Sequence, residues 1–278
     1  MKHASVNRPV RFITEALQLA IRAMFRTRFS KDIVTEFLPP ARTARIHKVI
    51  VLCDGMPSIP HKQNLALFLS RKGYWVFYPR YRGAWESGGS FLNHSPHEDI
   101  LEVLGGLSKP LVEIAFGKRF LVRVSEAFVI GGSFGGAAAI LCSRDSRVKK
   151  VVANCPVVDW AILSHSERAE TSNSNYAAYI RESFGNAYRL SDQNWKKLST
   201  GKFYNPAYHA DDIEPSKVIM FHAKDDPYVP YASVKHFADR TRIKLKSFRH
   251  GGHLSTEYIV KKYWRQISAF FNERSSDG

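Results

Sequence analysis

Apolar runs of strand length, each followed by a segment with helical spacing, restrict this chain to few architectures. In His47-Lys-Val-Ile-Val-Leu-Cys53 the last five positions are all apolar, so a strand there must be covered on both faces. Tyr74-Trp-Val-Phe-Tyr78, residues 127–130, Lys150-Val-Val-Ala-Asn-Cys155 and Lys217-Val-Ile-Met-Phe-His222 read the same way, and residues 243–248 add another strand. Helices are expected near residues 61–72, 96–107, 134–143, 231–240 and 255–272. Such alternation predicts an α/β class: a mostly parallel sheet with helices on both faces. Ile33-Val-Thr-Glu-Phe-Leu38 stops at Pro39-Pro40 and reads as an edge strand.

Two segments break the rhythm. Residues 8–28 have an amphipathic helical pattern, with Ile13, Leu17, Ala20, Ile21 and Met24 on one face and Arg8, Arg11, Arg22 and Arg26 on another. Such a helix packs its apolar stripe on the domain behind it, and its cations offer contact to an anionic surface. Residues 160–214 separate two strands by far more than an ordinary crossover and are rich in Trp, Tyr and Phe. A structureless loop of that length is unfavourable, so a helical lid is expected. The organisation is therefore a basic N-terminal helix (1–32), one core built from 33–159 and 215–278, and an aromatic lid (160–214), ending in a frayed tail.

Composition excludes several classes. Forty-one Lys and Arg against 25 Asp and Glu leave a net charge of +16. The cations are scattered and no zinc-finger or RNP pattern accompanies them, so they read as a solvated basic surface and no nucleic-acid partner is expected. The three cysteines, Cys53, Cys142 and Cys155, lie in or beside apolar segments. They read as buried free thiols of a reducing compartment, the cytoplasm. No ligand spacing for a metal appears, and no apolar run reaches membrane-spanning length.

The chemistry centres on Gly131-Gly132-Ser133-Phe134-Gly135, between a buried strand and a helix. A serine hydroxyl is a weak nucleophile until a base takes its proton and a third group orients that base. Glycines permit a sharp strand-to-helix turn, and the Phe134 N–H at the helix start is a candidate oxyanion donor. Downstream, Asp225 and Asp226 follow one strand, and His250 and His253 follow the next. Both loops lie at strand C-terminal ends, where α/β sheets place their sites. Asp159 is a further acid, read as local structure at the base of the lid.

In this order the motifs resemble an α/β-hydrolase of the prolyl-oligopeptidase-like type, from about residue 33 to the final helix. Gly131-Gly-Ser-Phe-Gly-Gly136 is similar to that family's Gly-x-Ser-Tyr-Gly-Gly, with Phe134 replacing tyrosine. Pro79-Arg-Tyr-Arg-Gly83 resembles its Arg-Gly loop, and Cys155-Pro-Val-Val-Asp-Trp160 the segment entering the lid. His222-Ala-Lys-Asp-Asp-Pro-Tyr-Val-Pro230 resembles His-Gly-x-x-Asp-x-x-Val-Pro, whose register selects Asp226, and Gly251-Gly-His253 selects His253. The resemblance implies Ser133 as nucleophile, His253 as general base and then acid, and Asp226 as the group orienting the imidazole. It implies Met56 N–H as second oxyanion donor, in a turn that reads His-Gly-x in relatives and Asp54-Gly55-Met56 here. A carboxylate at Asp54 opposes an oxyanion unless it points away or is paired. Substrate contacts are expected at Tyr81 and Trp160.

The expected function is a serine hydrolase cleaving a carboxylic ester or small amide through an acyl-enzyme, without metal or organic cofactor. The aromatic lid suggests an apolar acyl or aryl portion, and no segment is expected to form the propeller of the family's oligopeptidases. An acyltransferase or a short-peptide peptidase would use the same triad. A non-catalytic anionic-surface module is the reading outside enzymes. No oligomeric state is implied.

Overall fold

The computed structural model describes residues 24–42, 45–161 and 173–273. The main sheet has eight strands: β1 (Phe25–Phe29), β2 (Ile33–Leu38), β3 (His47–Cys53), β4 (Tyr74–Pro79), β7 (Val124–Gly132), β8 (Val148–Asn154), β9 (Val218–Ala223) and β10 (Lys244–Phe248). Their order is β1-β2-β4-β3-β7-β8-β9-β10. β2 runs antiparallel to both β1 and β4, and every other pair is parallel. This is the α/β-hydrolase fold.

Two apolar layers explain the continuous runs. In β3, Val49, Val51 and Cys53 face one cluster with Ile50 and Leu52 facing the other. The first cluster is closed by α2 (Pro96–Gly106), α3 (Phe134–Cys142) and α6 (Tyr231–Thr241). The second is closed by α1 (Gln63–Arg71), α7 (Thr256–Lys262) and α8 (Trp264–Asn272). Every residue of α3 is buried, which its run of Gly and Ala allows by letting the helix lie close to the sheet.

Three expectations are corrected. The helical pattern over 8–28 does not continue through its last residues, because Phe25–Phe29 is an edge strand with alternating burial. Phe-Arg-Thr-Arg-Phe has period two, and Phe25 stacks on Phe37 at 5.4 Å. The rest of that segment lies outside the described residues. Consequently β2 is not the edge strand: it sits between β1 and β4. The closing helix is two helices broken at Tyr263, whose ring stacks between Phe221 (5.7 Å) and Phe248 (5.3 Å). A small hairpin, β5 (Leu111–Val112) with β6 (Arg119–Phe120), has strands too short for periodicity to reveal.

Between β8 and β9 the described residues form α4 (Asn173–Phe184), α5 (Asp192–Lys196) and short 3-10 turns. This insertion is fastened to the loop after β4. Isolated bridges join Ala84 to Tyr188 and Phe91 to Leu190, and the Asn194 side chain donates to the Phe91 carbonyl at 3.0 Å. No helix among the described residues is long and apolar enough to cross a membrane.

Candidate active site

The strand register sets the site. Cys53 pairs with Gly131, Gly132 with Asn154, Asn154 with Phe221, and Ala223 with Phe248. The loops that begin at Asp54, Ser133, Cys155, Lys224 and Arg249 therefore leave the sheet side by side.

Ser133 sits between β7 and α3 with φ 55° and ψ −123°. A non-glycine residue at positive φ is strained by about 1–3 kcal/mol and is held only where its surroundings fix it. Here they do. The Ser133 N–H donates to the Asn154 carbonyl (2.9 Å), and its own carbonyl accepts from Gly136 (3.0 Å) and Val157 (3.1 Å). The flanking glycines are required by close approach. A Cβ on Gly131 would lie 2.0 Å from the Gly135 carbonyl oxygen, and one on Gly135 would lie 2.4 Å from the Asp54 carbonyl oxygen. Phe134 is buried among Tyr81, Phe91, Trp160 and Tyr204, so no hydroxyl is needed where the family pattern has tyrosine.

Asp226 is buried at the end of β9. One carboxylate oxygen accepts the Tyr228 (2.9 Å) and Val229 (3.0 Å) amides. The other lies 2.8 Å from His253 Nδ1. Burial pushes this carboxyl up, but the His253 hydrogen bond and charge and the two amides more than offset it, holding it below the usual range. His222, fully buried beneath the turn, donates from Nε2 to the Val229 carbonyl at 3.0 Å, and burial lowers its pKa. The neutral ring braces the turn that carries Asp226.

The neighbouring Asp225 does something different. Its carboxylate accepts the Gly252 (2.8 Å) and Gly251 (3.2 Å) amides, clamping the backbone that leads to His253. His250 lies 3.5 Å from Asp225 and its side chain is 76% exposed, so it stays outside the Asp226 cluster. Asn154 ties the serine and histidine loops together. Its carbonyl takes the Ser133 N–H, and its side chain donates to the Leu254 carbonyl at 2.6 Å.

Asp54 is paired. One oxygen accepts the Gly55 N–H (3.0 Å) and faces Lys62 Nζ (3.1 Å), and the other accepts Ser58 Oγ (2.7 Å) and Tyr78 OH (2.5 Å). Burial and the Asp54 charge push the Tyr78 hydroxyl up, keeping it a donor. All four partners belong to its own turn, precede α1 directly or lie in β4, so the carboxylate is consumed structurally. The turn itself abuts the serine: a Cβ on Gly55 would lie 3.9 Å from Ser133 Cβ. Met56, the next residue, is buried.

The expected substrate role of Tyr81 is revised, because its side chain is buried and its hydroxyl donates to the Asp54 carbonyl at 3.1 Å. It supports the turn from below. Trp160 is half-buried against Phe134 (5.7 Å) and Tyr204 (6.1 Å), with its indole N–H buried and unpaired. Asp159 accepts the Ala161 N–H (2.9 Å) and the Asn205 side chain (3.1 Å), as local structure.

One set of potential metal-ligand atoms occurs among the described residues: Cys155, Asp226 and His253, mutually within 4.8 Å. Two of these are already bonded to each other, and burial pushes the Cys155 thiol up to about 12. A metal would have to break the carboxylate–imidazole bond and deprotonate a buried thiol. Asn154 and Tyr78, which sequence reading missed, act through contacts distant in sequence that no local pattern reports, and Lys62 reaches Asp54 from just before α1.

The model of the prolyl oligopeptidase family of peptidases matches residues 60–277. The chain belongs to the prolyl oligopeptidase family. It is a serine hydrolase of the α/β-hydrolase type, and the Asp54–Met56 turn lies just outside the matched span. No curated protein matches the chain by sequence. Among solved structures, an esterase of Pyrococcus furiosus is similar at a TM-score of 0.62 and 14% identity, over 89% of this chain and 88% of that one. A Butyrivibrio proteoclasticus protein, Est1E, with bound ferulic acid, is similar at 0.58 and 16%, over 87% and 99%. An acylaminoacyl peptidase of Pyrococcus horikoshii is similar at 0.61 and 16%; the match covers 92% of this chain but only 42% of the peptidase. At these identities the likeness establishes the fold.

Proposed function

We propose that this prolyl oligopeptidase family member cleaves a small carboxylic ester or amide through an acyl-enzyme on Ser133, with His253 and Asp226 completing a triad. The observation that carries the reading is the 2.8 Å contact between His253 Nδ1 and a buried Asp226, on loops that Asn154 joins to the positive-φ turn of Ser133. Asp226 holds the His253 Nδ1 proton, leaving Nε2 free to accept. Ser133 Oγ attacks the carbonyl carbon as Nε2 takes its proton. The tetrahedral intermediate collapses as His253 returns that proton to the leaving alcohol or amine. Water, deprotonated by His253, then attacks the acyl-enzyme and frees the acid and Ser133.

The Phe134 N–H at the start of α3 and the Met56 N–H of the facing turn are the proposed oxyanion donors, each worth about 3 kcal/mol in such sites. Asp54 does not oppose them, since Lys62 balances its charge and three donors satisfy it. Trp160 is the proposed wall for an apolar acyl or aryl group. The similar esterase and the ferulic-acid-bound protein, both nearly spanned by this chain, favour an ester over a peptide.

The test is fluorophosphonate labelling with mass mapping. Stoichiometric modification of Ser133, lost in Ser133→Ala and His253→Ala, is expected. Well-folded protein that stays unlabelled while open to the probe refutes the triad. Turnover of aryl esters and of blocked short peptides, with and without an added acceptor alcohol, then separates esterase, peptidase and acyltransferase.

A further inference from the structure

Exposed large apolar side chains concentrate far from Ser133. Val112 (48%), Ile114 (52%), Phe116 (75%), Leu121 (51%) and Val124 (42%) all fall within the β5–β6 hairpin and the strand start that follows it. Ile46, 68% exposed, precedes His47, which pairs with Val124. Single exposed apolar residues are ordinary; a contiguous group marks an interaction surface. The hairpin tip is well made. Glu113 is buried, and its carboxylate accepts the Ala115 (3.0 Å) and Phe116 (2.6 Å) amides, which fixes Phe116 at the apex. The hairpin edge is anchored to β1 by Ile114 N–H to the Arg26 carbonyl at 2.9 Å.

The same segment is basic. Lys109, Lys118, Arg119 and Arg123 accompany it, and among the described residues none of them is ion-paired with a carboxylate. Its one acid, Glu113, is consumed in the turn. Lys118 stands over the Phe25 and Phe120 rings, and Lys109, Arg119 and Arg123 lack carboxylate partners among the described residues. Apolar side chains at an apex with such cations around them match an anionic lipid surface, where hydrocarbon enters the interface while the cations meet headgroups. A second copy of the chain fits poorly, because it would set these cations against their own counterparts on a protein of charge +16. Nucleic acid fits poorly as well, since four of the five apolar residues are aliphatic and give bases nothing to stack on.

We propose that the β5–β6 hairpin docks the protein on anionic lipid bilayers, with Phe116 and Ile114 entering the interface. Val124 opens β7 and Ser133 follows its far end, so about nine residues of strand, roughly 30 Å, separate the docking patch from the serine. The candidate active site then faces water while the opposite end rests on lipid. This surface is independent of the proposed triad and survives if that reading fails.

The test is flotation of the full chain with phosphatidylcholine vesicles, with and without phosphatidylserine. Binding is expected only with phosphatidylserine and is expected to weaken with salt. Phe116→Asp should weaken it at least tenfold without moving the melting temperature, and Arg119→Gln and Arg123→Gln by about fivefold for each charge removed. In Phe116→Trp, emission should shift to the blue on those vesicles alone. Failure to bind, or salt-sensitive binding that Phe116→Asp leaves intact, overturns the proposal. So does sedimentation showing a dimer that Phe116→Asp dissolves.

Discussion

Two aspartates flank Ser133 on neighbouring turns, and they are spent differently. Asp54 has four donors: an amide, a lysine, a serine and a tyrosine. Asp226 gives one oxygen to two backbone amides and turns the other to His253, with Cys155 and His222 beside it. Both are buried carboxylates at strand C-terminal ends. The difference lies in where the last lone pairs go, and that decides whether a carboxylate anchors a turn or orients an imidazole. A buried charge with all partners supplied locally becomes part of the scaffold. One whose remaining partner arrives from another loop can transmit order to that loop.

The largest expected effect lies on the Asp226 side. Asp226→Asn should lower kcat about 10⁴-fold with the fold retained, because the wrong tautomer of His253 is then favoured. Asp54→Asn should lower kcat by no more than about tenfold. Equal losses in the two variants, measured on one ester substrate, would erase the distinction. Next comes stability. Asp54→Ala leaves Lys62 and Tyr78 without their partner in a buried site and should cost about 3 kcal/mol in denaturant unfolding. Ser133→Ala, which relieves no such network, should cost far less.

Asp225→Ala sharpens the comparison from the other side. It frees the Gly251 and Gly252 amides and should reduce kcat about tenfold with KM nearly unchanged, a split that a merely looser fold would not produce.

A separate expected effect is titration away from the site. Burial, and then Arg144 and His209, lower the pKa of His97 to about 4. The unfolded chain, with an ordinary histidine, binds the proton first as pH falls. Stability contributed by the neutral ring is therefore complete above about pH 6.5 and is lost as pH drops toward 4. His97→Gln should remove about 3 kcal/mol of that pH dependence, read from unfolding curves across this window.

The sheet was legible because strand residues covered on both faces must be apolar, as the last five of β3 and those of β4 are. The serine turn was legible because close backbone approach leaves glycine no substitute. β1 was misread because a strand of alternating Phe and Arg, placed after a helical pattern, satisfies both periods over so short a span. The hairpin was missed because two-residue strands carry no period at all. The role of Asp54 was invisible, since Tyr78 lies in β4 and Lys62 just before α1, and only the folded chain brings both within reach. The choice between Asp225 and Asp226 rested on motif register; the geometry gives each of them separate work.

The insertion between β8 and β9 is sewn to the loop after β4 by two strand bridges, and Tyr204 OH donates to the Phe134 carbonyl at 2.6 Å. Moving these described segments away from Ser133 would break both bridges and the Tyr204 hydrogen bond together, a cooperative cost that a loop held at one point would not carry. With Trp160 as the proposed wall packed on Phe134 and Tyr204, Trp160→Ala is expected to broaden the range of acyl groups turned over, read as relative kcat/KM across an ester series.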